Sequence, residues 1–352
     1  MVAVKSLLSK SSVRNGLIII GAVVLVFLGL WLGGDATRAI LDSILSILFS
    51  PEFLRAVFIS TTPLLLAALG GLISELSGVL NMALEAMMLI GAFAAYAAAD
   101  HSGNVWIGLL AASLAGMLVG GIHAFFTITL RCNQIVTAVA LNLFALAVTA
   151  LSFRMLYAGG AFVFAPSFQP LHVPFLSDLP YLGIALFDQN ILVYLTLLLV
   201  PIMSFVLYKT SWGLTLRSVG EHPLAASTSG INVNRVRYIA VLLSGAIAGI
   251  SGSALVSASN INVFQENMSA GRGFIAFAAE IFGRYTPGGV LSGSLLFGLG
   301  DALQIRLQAY GVQVPYQLLM ILPYAITLIA LVVFMKHAHA PAASGVPYSE
   351  EE

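Results

Sequence analysis

Apolar segments long enough to cross a membrane recur along almost the whole chain, and they constrain its fold more than any other feature. A membrane-spanning helix needs about 20 consecutive apolar residues. We therefore predict an all-α polytopic membrane protein with about ten transmembrane helices, at roughly 17–34, 54–73, 78–99, 105–130, 135–156, 191–208, 238–258, 272–285, 288–305 and 317–335.

The composition excludes several other classes of protein. Of the 352 residues, 59% are hydrophobic and only 9% are charged, whereas soluble domains carry about 25% charged residues. The formal net charge of zero argues against nucleic-acid binding. The chain has no H-E-x-x-H pattern, and Ser251 has no histidine after it except in the tail. We therefore predict no metal site and no catalytic residue.

The distribution of lysine and arginine predicts the orientation. If the N-terminus is cytoplasmic, ten of the 15 cations fall on the inner side, as the positive-inside rule requires. Both termini are then cytoplasmic. Five arginines near the outer ends go against the rule: Arg38, Arg55, Arg154, Arg272 and Arg306.

The same argument divides the chain into three regions. We predict a cytoplasmic N-terminus at 1–16, a transmembrane domain at 17–335 and a disordered cytoplasmic tail at 336–352, whose residues are polar and small. A cleaved signal peptide shares the polarity of the first segment. However, the apolar run is long for a signal peptide, which favours an uncleaved first span.

Ten spans divide into two sets of five. An odd number of spans in each half gives the two halves opposite orientations, as in an inverted repeat. The third span of each half is irregular. The segment 78–96 is interrupted by Asn81 and Glu85, and the segment 271–285 is short and contains Glu280. Unusual segments at matching positions in two halves indicate a transport path. A carboxylate at bilayer depth is costly, so Glu85 and Glu280 either line that path or tie helices together.

Other polar residues share this ambiguity. Asn81 lies one turn before Glu85 and could hydrogen-bond to it. Asn142, inside the fifth span, either lines the path or makes an interhelical hydrogen bond. Asn267 belongs to a polar cluster that faces an outer vestibule or a delivering protein, or lies in a solvated loop. Near the outer end, Asp301 is expected to form an ion pair with Arg306 or to act as an anchor.

The longest basic interruption of the apolar pattern is 209–237, which carries Lys209, Arg217, Arg235 and Arg237. Its positive charge places it in the cytoplasm. Its middle is rich in small residues and predicts a short helix with Pro223 in the first turn, where a missing N–H costs nothing. Such a helix indicates docking to a soluble partner. The sequence has no G-x-x-x-x-G-K-[ST] pattern, so a partner would have to bind any ATP that drives transport.

These stretches together resemble the membrane permease subunits of bacterial ABC importers, in the branched-chain amino acid, ribose and simple-sugar superfamily. The likeness is greatest to the nucleoside-type branch. Alanine stands at 86 where that branch usually has glycine, and Glu280 replaces an apolar residue. The matching stretches lie at 78–92, 133–142, 219–232, 266–276, 295–304 and 315–317.

The resemblance implies a multi-pass protein of the bacterial cytoplasmic (inner) membrane that works in a complex. Its partners would be two ABC ATPase subunits, a second and different permease, and an extracytoplasmic substrate-binding protein. ATP and Mg would bind to the ATPase, and this chain would bind no cofactor. The resemblance assigns contact with the ATPase to Gly220, Glu221, His222, Pro223, Leu224, Ala225, Ala226, Gly230 and Ile231.

The resulting hypothesis is a permease subunit for nucleosides or related purines that are delivered by the binding protein. Within the same class, a simple sugar or a branched-chain amino acid is the alternative solute. In a different class, an ion-coupled secondary transporter would use Glu85, Glu280 and Asp301 as coupling carboxylates, but the basic loop would then have no purpose.

Overall fold

A computed structural model of the chain describes residues 45–46, 48–157, 165–172, 174, 177, 179, 183–257, 262–309 and 339–349. Within these ranges the fold is almost entirely helical, as expected where backbone groups must be satisfied without water. The α-helices are, in chain order, α1 (Pro51–Leu76), α2 (Leu84–Ser102), α3 (Val105–Ala124), α4 (Gln134–Leu156), α5 (Ile191–Lys209), α6 (Ser211–Glu221), α7 (Pro223–Thr228), α8 (Val233–Ser257), α9 (Arg272–Phe282) and α10 (Pro287–Ala309).

Six of these helices are long and apolar enough to cross a membrane: α1, α3 with its π-helical continuation Phe125–Thr129, α4, α5, α8 and α10. Eight of the ten predicted spans coincide with described helices. The predicted spans 17–34 and 317–335 lie outside the described residues. The protein is therefore a polytopic helical membrane protein, while the total of ten spans and the division into inverted halves remain predictions.

Two of the eight helices are irregular in the predicted way. Helix α9 has 11 residues, so at about 1.5 Å per residue it extends roughly 16 Å, about half of a bilayer core. Residues 78–83 are not helical, so the third predicted span is interrupted and helix α2 begins only at Leu84. The predicted interruption of the third span is thus confirmed.

Several helices begin where the sequence provides a capping side chain. Asn133 accepts hydrogen bonds from the backbone N–H groups of Ile135 and Val136 at the start of α4. Ser50, Asn190 and Thr210 cap α1, α5 and α6 in the same way. These residue types satisfy N–H groups that have no partner within the helix. The predicted short helix of the basic loop is confirmed as α7, which has Pro223 in its first turn.

Helices α1 and α8 form the centre of the described fold. In the most apolar 18-residue stretch of each helix, 78% of α1 and 72% of α8 is buried inside the protein, against 22% of α4. Small residues allow α8 to approach its neighbours closely: a Cβ atom on Gly249 would clash with the carbonyl oxygen of Ala112 in α3, and one on Gly116 would clash with that of Gly245. Helix association in membranes relies on such close backbone contacts.

The helices run between two ends of the molecule. We call the end that carries residues 209–237 the loop end, and the opposite end, which carries residues 262–271, the cavity end. At the cavity end, the segment between α4 and α5 contains two antiparallel strands, β1 (Pro170–His172) and β2 (Asp188–Asn190), and a π-helical turn at Gly183–Phe187.

The prediction of a disordered tail is wrong for residues 341–349. This segment packs against the loop end, where the N–H of Ala343 donates to the carbonyl of Gly220 at 2.9 Å and the N–H of Gly345 donates to that of Gly78 at 3.2 Å. Tyr348 is buried. The polar, small-residue composition predicted disorder because it contains few apolar side chains. Backbone hydrogen bonds and one aromatic ring fix the segment instead.

Candidate functional site

The two irregular segments of the sequence meet inside the protein. The carboxylate of Glu85, in the first turn of α2, accepts hydrogen bonds from the N–H groups of Gly271 at 2.8 Å and Gly273 at 2.7 Å. These groups open α9, whose N-terminus carries partial positive charge. A side chain at Gly273 would clash with the backbone of Glu85, so glycine is required there. Glu85 therefore joins the two segments as a helix cap.

Asn142 holds the start of α2 from the side of α4. Its Oδ1 accepts a hydrogen bond from the N–H of Ala86 at 3.0 Å, and its Nδ2 donates to the carbonyl of Met82 at 3.1 Å. Both backbone groups belong to the break before α2 or to its first turn. Asn142 thus makes interhelical hydrogen bonds, one of the two roles considered for it, and these bonds stabilise the break.

Asn81 lies within the break and is fully buried. Its Nδ2 donates to the hydroxyl of Ser244 at 2.9 Å, and its Oδ1 accepts from the N–H of Ala83 at 3.2 Å. Its own N–H donates to Oε1 of Glu75 at 3.2 Å. The predicted hydrogen bond to Glu85 is not formed, because the Glu85 carboxylate is directed across to α9.

Glu280 lies on α9 and is completely buried. Neither of its carboxylate oxygens has a hydrogen-bond partner among the described residues. The carboxylate packs against Gly71 of α1, where any Cβ atom would clash with it. The glycine at this position creates the space that the Glu280 side chain fills.

A cavity of about 680 Å³ opens at the cavity end. It combines apolar helix surface with charged and amide side chains. Asn267 lies in its wall, exposed and in the left-handed backbone region with a φ of 57°. The lining includes Arg55, Ser60, Pro63, Gln265, Glu266, Asn267, Arg272, Asp301 and Arg306.

An ion pair in the wall of this cavity corrects one expectation. Asp301 of α10 pairs with Arg272 at 3.4 Å and not with Arg306. Arg306 instead donates to the carbonyl of Glu52 at 3.0 Å. The sequence separation favoured the nearer partner on the same helix, whereas the fold brings the first residue of α9 beside α10. The cavity wall therefore carries a neutral pair.

A second pair, at the rim, connects α4 to the segment before α9. Arg154 donates two hydrogen bonds to Glu266, at 2.7 and 2.8 Å. These bonds hold the pKa of the Glu266 carboxyl below its ordinary value. The pair is exposed, so its contribution to stability is small and salt-dependent.

At the loop end, the residues expected to contact a partner divide into exposed and buried groups. Leu224 is 47% exposed, whereas Ala226 is buried on the opposite side of α7. Gly220 is buried because its backbone touches the carbonyl of Leu76, where a side chain would clash. The exposed residues are Glu221, His222, Leu224, Ala225 and Gly230, and the half-buried ones are Pro223 and Ile231.

Two buried charges at the loop end were not singled out by the sequence analysis. Arg237, predicted only as a basic loop residue, is 1% exposed and donates from Nε to the carbonyl of Ser77 at 3.2 Å. Glu75 is also buried and accepts a hydrogen bond from the hydroxyl of Ser344 at 2.9 Å. The position of both residues at the edge of an apolar span could have identified them, because a charged group that is buried there needs dedicated polar partners.

The arrangement defines a class of protein: a multi-pass helical membrane protein with a cavity at one end and a short exposed helix at the other. A family model described as the permease component of a branched-chain amino acid transport system matches residues 53–331. The chain therefore belongs to this permease family.

Individual relatives include permeases for different solutes. The chain is 39% identical to the guanosine ABC transporter permease protein NupQ of Bacillus subtilis, over 83% of this chain and 95% of the relative. It is 38% identical, with the same coverage, to the nucleoside ABC transporter permease protein NupC of Lactococcus lactis. It is also 38% identical to a putative glucose ABC transporter permease, TsgC13 of Haloferax volcanii, over 74% and 79% of the two chains.

Proposed function

We propose that this chain is the permease subunit of an ATP-driven ABC importer and that it conducts nucleosides or related purines. The observation that carries the proposal is the identity of 39% and 38% to NupQ and NupC over 83% of the chain. The cavity supports it, because amide, carboxylate and guanidinium groups beside apolar surface suit a neutral solute with many hydrogen-bonding groups.

In this proposal α7 is the docking helix for the ATPase. Its exposed side presents Leu224 and Ala225, and Glu221 precedes it at the surface. ATP and Mg bind to the ATPase partner, since this sequence has no P-loop. The loop end then faces the cytoplasm, as its positive charge favours. The cavity end faces outward, toward a substrate-binding protein.

A second, related permease completes the membrane part of the complex. Support comes from the exposed apolar sides of α3 and α4, such as Leu110, Leu114, Leu143 and Leu151, which need lipid or another subunit around them. The bacterial cytoplasmic membrane supplies that environment.

We further infer how the five polar residues serve the path. Asn267 contacts the solute in the cavity. Asn81, Glu85 and Asn142 shape the path by holding the two irregular segments together. Glu280 fixes α9 against α1. Movement of α9 relative to α2 would then open or close the inner end of the cavity, and ATP binding would drive it by favouring one of the two arrangements.

Reconstitution into lipid vesicles tests the proposal. The complete complex should accumulate radiolabelled guanosine when ATP and the binding protein are present. The matched control is the same complex with an ATPase subunit unable to hydrolyse ATP, which should not accumulate it. Competition by unlabelled adenosine but not by glucose supports a nucleoside solute.

Two results would overturn the proposal. Competition by glucose alone would favour a sugar permease, for which the identity to TsgC13 is the supporting observation. Uptake by this chain alone, driven by a proton or sodium gradient and indifferent to ATP, would establish a secondary transporter.

A further inference from the structure

The C-terminal segment 341–349, which we call the strap, contacts the membrane-spanning body at the loop end. The hydroxyl of Ser344 donates to Oε2 of the buried Glu75 at 2.9 Å. The N–H of Gly345 donates to the carbonyl of Gly78 at 3.2 Å. Glu75 also accepts the hydrogen bond of Asn81. The strap is therefore attached next to the break that precedes α2.

A buried cation strengthens this attachment. Arg237 of α8 donates from Nη1 to the carbonyl of Val346 at 3.0 Å and from Nε to the carbonyl of Ser77 at 3.2 Å. Its side chain thus bridges the strap and the end of α1. Hydrogen bonds from a charged donor are stronger than those between neutral groups. This makes Arg237 a firm anchor for residue 346.

The other side of the strap contacts the helices around the docking helix. The N–H of Ala343 donates to the carbonyl of Gly220 at 2.9 Å. The N–H of Ala342 donates to Oε2 of Glu221 at 3.4 Å. Both acceptors belong to the last turn of α6, immediately before α7.

The ring of Tyr348 contributes the main apolar contact of the strap. It is 7% exposed and lies in one buried cluster with Val219 of α6, Ala226 of α7 and Val233 of α8. Ala226 is the single residue of α7 that is buried. A helix of this length has no stability of its own, so its position depends on what surrounds Ala226.

From these contacts we propose that the strap sets the position of the docking helix relative to the end of α1 and the break before α2, with Tyr348 as the positioning residue. The proposal rests on the proposed function, in which α7 receives the ATPase. Displacement of α7 is passed through the strap to Glu75 and Asn81 as well as through the chain itself. Loss of the strap would leave α7 attached less rigidly to the membrane-spanning body. Less solute would then be imported for each ATP hydrolysed.

The first test locates the strap in the intact complex and does not depend on transport. Cysteines replace Glu221 and Ala342 in a Cys132→Ser background, and a short thiol-specific reagent is added to vesicles. We expect cross-linking in this pair and none between cysteines at 221 and Ser102, which lies at the cavity end. Addition of Tyr348→Ala should reduce the cross-linking. Absence of the 221–342 cross-link in the otherwise native complex overturns the proposal.

The second test measures guanosine molecules imported per ATP hydrolysed by the assembled complex. We expect Tyr348→Ala to lower this ratio about fivefold or more, the lower range of typical coupling between sites. Tyr348→Phe should restore it, because the buried hydroxyl has no hydrogen-bond partner in the described part of the chain. Val346→Ala is the matched control, since the Val346 side chain is 54% exposed.

A further variant keeps the proposal testable if Tyr348→Ala does not assemble. Ser344→Ala removes one hydrogen bond to Glu75 and should lower the same ratio by a smaller factor. A normal ratio in an assembled Tyr348→Ala complex, or a normal ratio in Ser344→Ala where Tyr348→Ala fails to assemble, overturns the positioning role. If the wild-type complex shows no ATP-driven import, the proposed function fails, and cross-linking alone decides whether the strap holds the docking helix.

Discussion

The two ends of the molecule differ in whether their positively charged side chains form ion pairs. At the cavity end, three arginines are paired with acids: Arg55 with Asp188 at 3.1 Å, Arg154 with Glu266 and Arg272 with Asp301. Arg306 is the exception there and donates to the carbonyl of Glu52. At the loop end, no ion pair is formed within the described ranges by Arg131, Lys209, Arg235 or Arg284.

Three of the five arginines that went against the positive-inside rule are among these pairs. A paired arginine adds little net charge to its end of the molecule, because the carboxylate beside it cancels its field at a distance. The positive-inside rule counts lysine and arginine and not net charge, so these pairs leave the five exceptions in the count. Of the five exceptions, Arg55, Arg154 and Arg272 are neutralised in this way. Arg306 donates to the carbonyl of Glu52 and has no ion pair among the described residues. Arg38 lies outside the described residues.

The two ends are also held together differently. At the loop end, Gly220 packs against the backbone of α1 and hydrogen bonds attach the strap. At the cavity end, ion pairs surround an open volume. We therefore expect changes at the loop end to alter the use of ATP and changes at the cavity end to alter the choice of solute.

The largest expected effect concerns the exposed side of the docking helix. Overpacking of a fitted contact costs about 1–3 kcal/mol, so Ala225→Trp should weaken ATPase binding about tenfold to a hundredfold. Co-purification of the ATPase and ATP-driven import measure this loss. Thr228→Trp, at the exposed end of the same helix, maps the extent of the contact. Normal import by Ala225→Trp would contradict the assignment of α7 as the docking helix.

The next effect concerns the carboxylate that joins the two irregular segments. Glu85→Ala leaves the N–H groups of Gly271 and Gly273 without their charged acceptor, so we expect a loss of about 3 kcal/mol in the free energy of unfolding. Thermal unfolding in detergent measures it. Glu85→Gln retains one acceptor oxygen and should lose less. If Glu85→Ala is as stable as wild type but conducts other solutes, Glu85 contacts the solute and does not act as a cap.

A moderate effect is expected from the ion pair in the cavity wall. Asp301→Asn leaves the positive charge of Arg272 without its partner. A unit charge contributes about 1 kcal/mol at close range in water-like surroundings, so inhibition of import by an anionic nucleoside analogue should strengthen about fivefold. The double variant Arg272→Gln with Asp301→Asn restores neutrality and is the control. Equal inhibition in all three proteins would place the solute away from this wall.

The smallest effect is expected at the rim. Arg154→Ala should leave import unchanged, because the Arg154–Glu266 pair is exposed and screened by water. The lowered pKa of Glu266 means that its contribution is present above the ordinary carboxyl pKa of about 4.5 and is lost as the pH falls through the folded value. Unfolding temperatures of the two proteins should therefore converge on acidification. A loss of import would reveal a role in receiving the solute.

Much of the fold could be predicted from the sequence because a bilayer allows few solutions. Lengths of apolar sequence indicated eight described helices, and the polar residues Asn81 and Glu85 marked the break before α2. Pro223 and its small neighbours predicted α7. The hydrogen-bond partners could not be predicted, because Asn81, Glu85 and Asp301 have several polar groups within reach along the chain.

The sequence by itself determined that this chain is a helical membrane protein, roughly where its eight described spans lie, and which loop is positive, because hydropathy and charge act locally. Tertiary structure alone decided that Glu85 caps α9 and that Asp301 pairs with Arg272. It also decided that residues 341–349 pack against α6 and the buried side of α7. Each of these contacts joins different helices or segments, and each depends on groups that only the fold brings within a few ångströms.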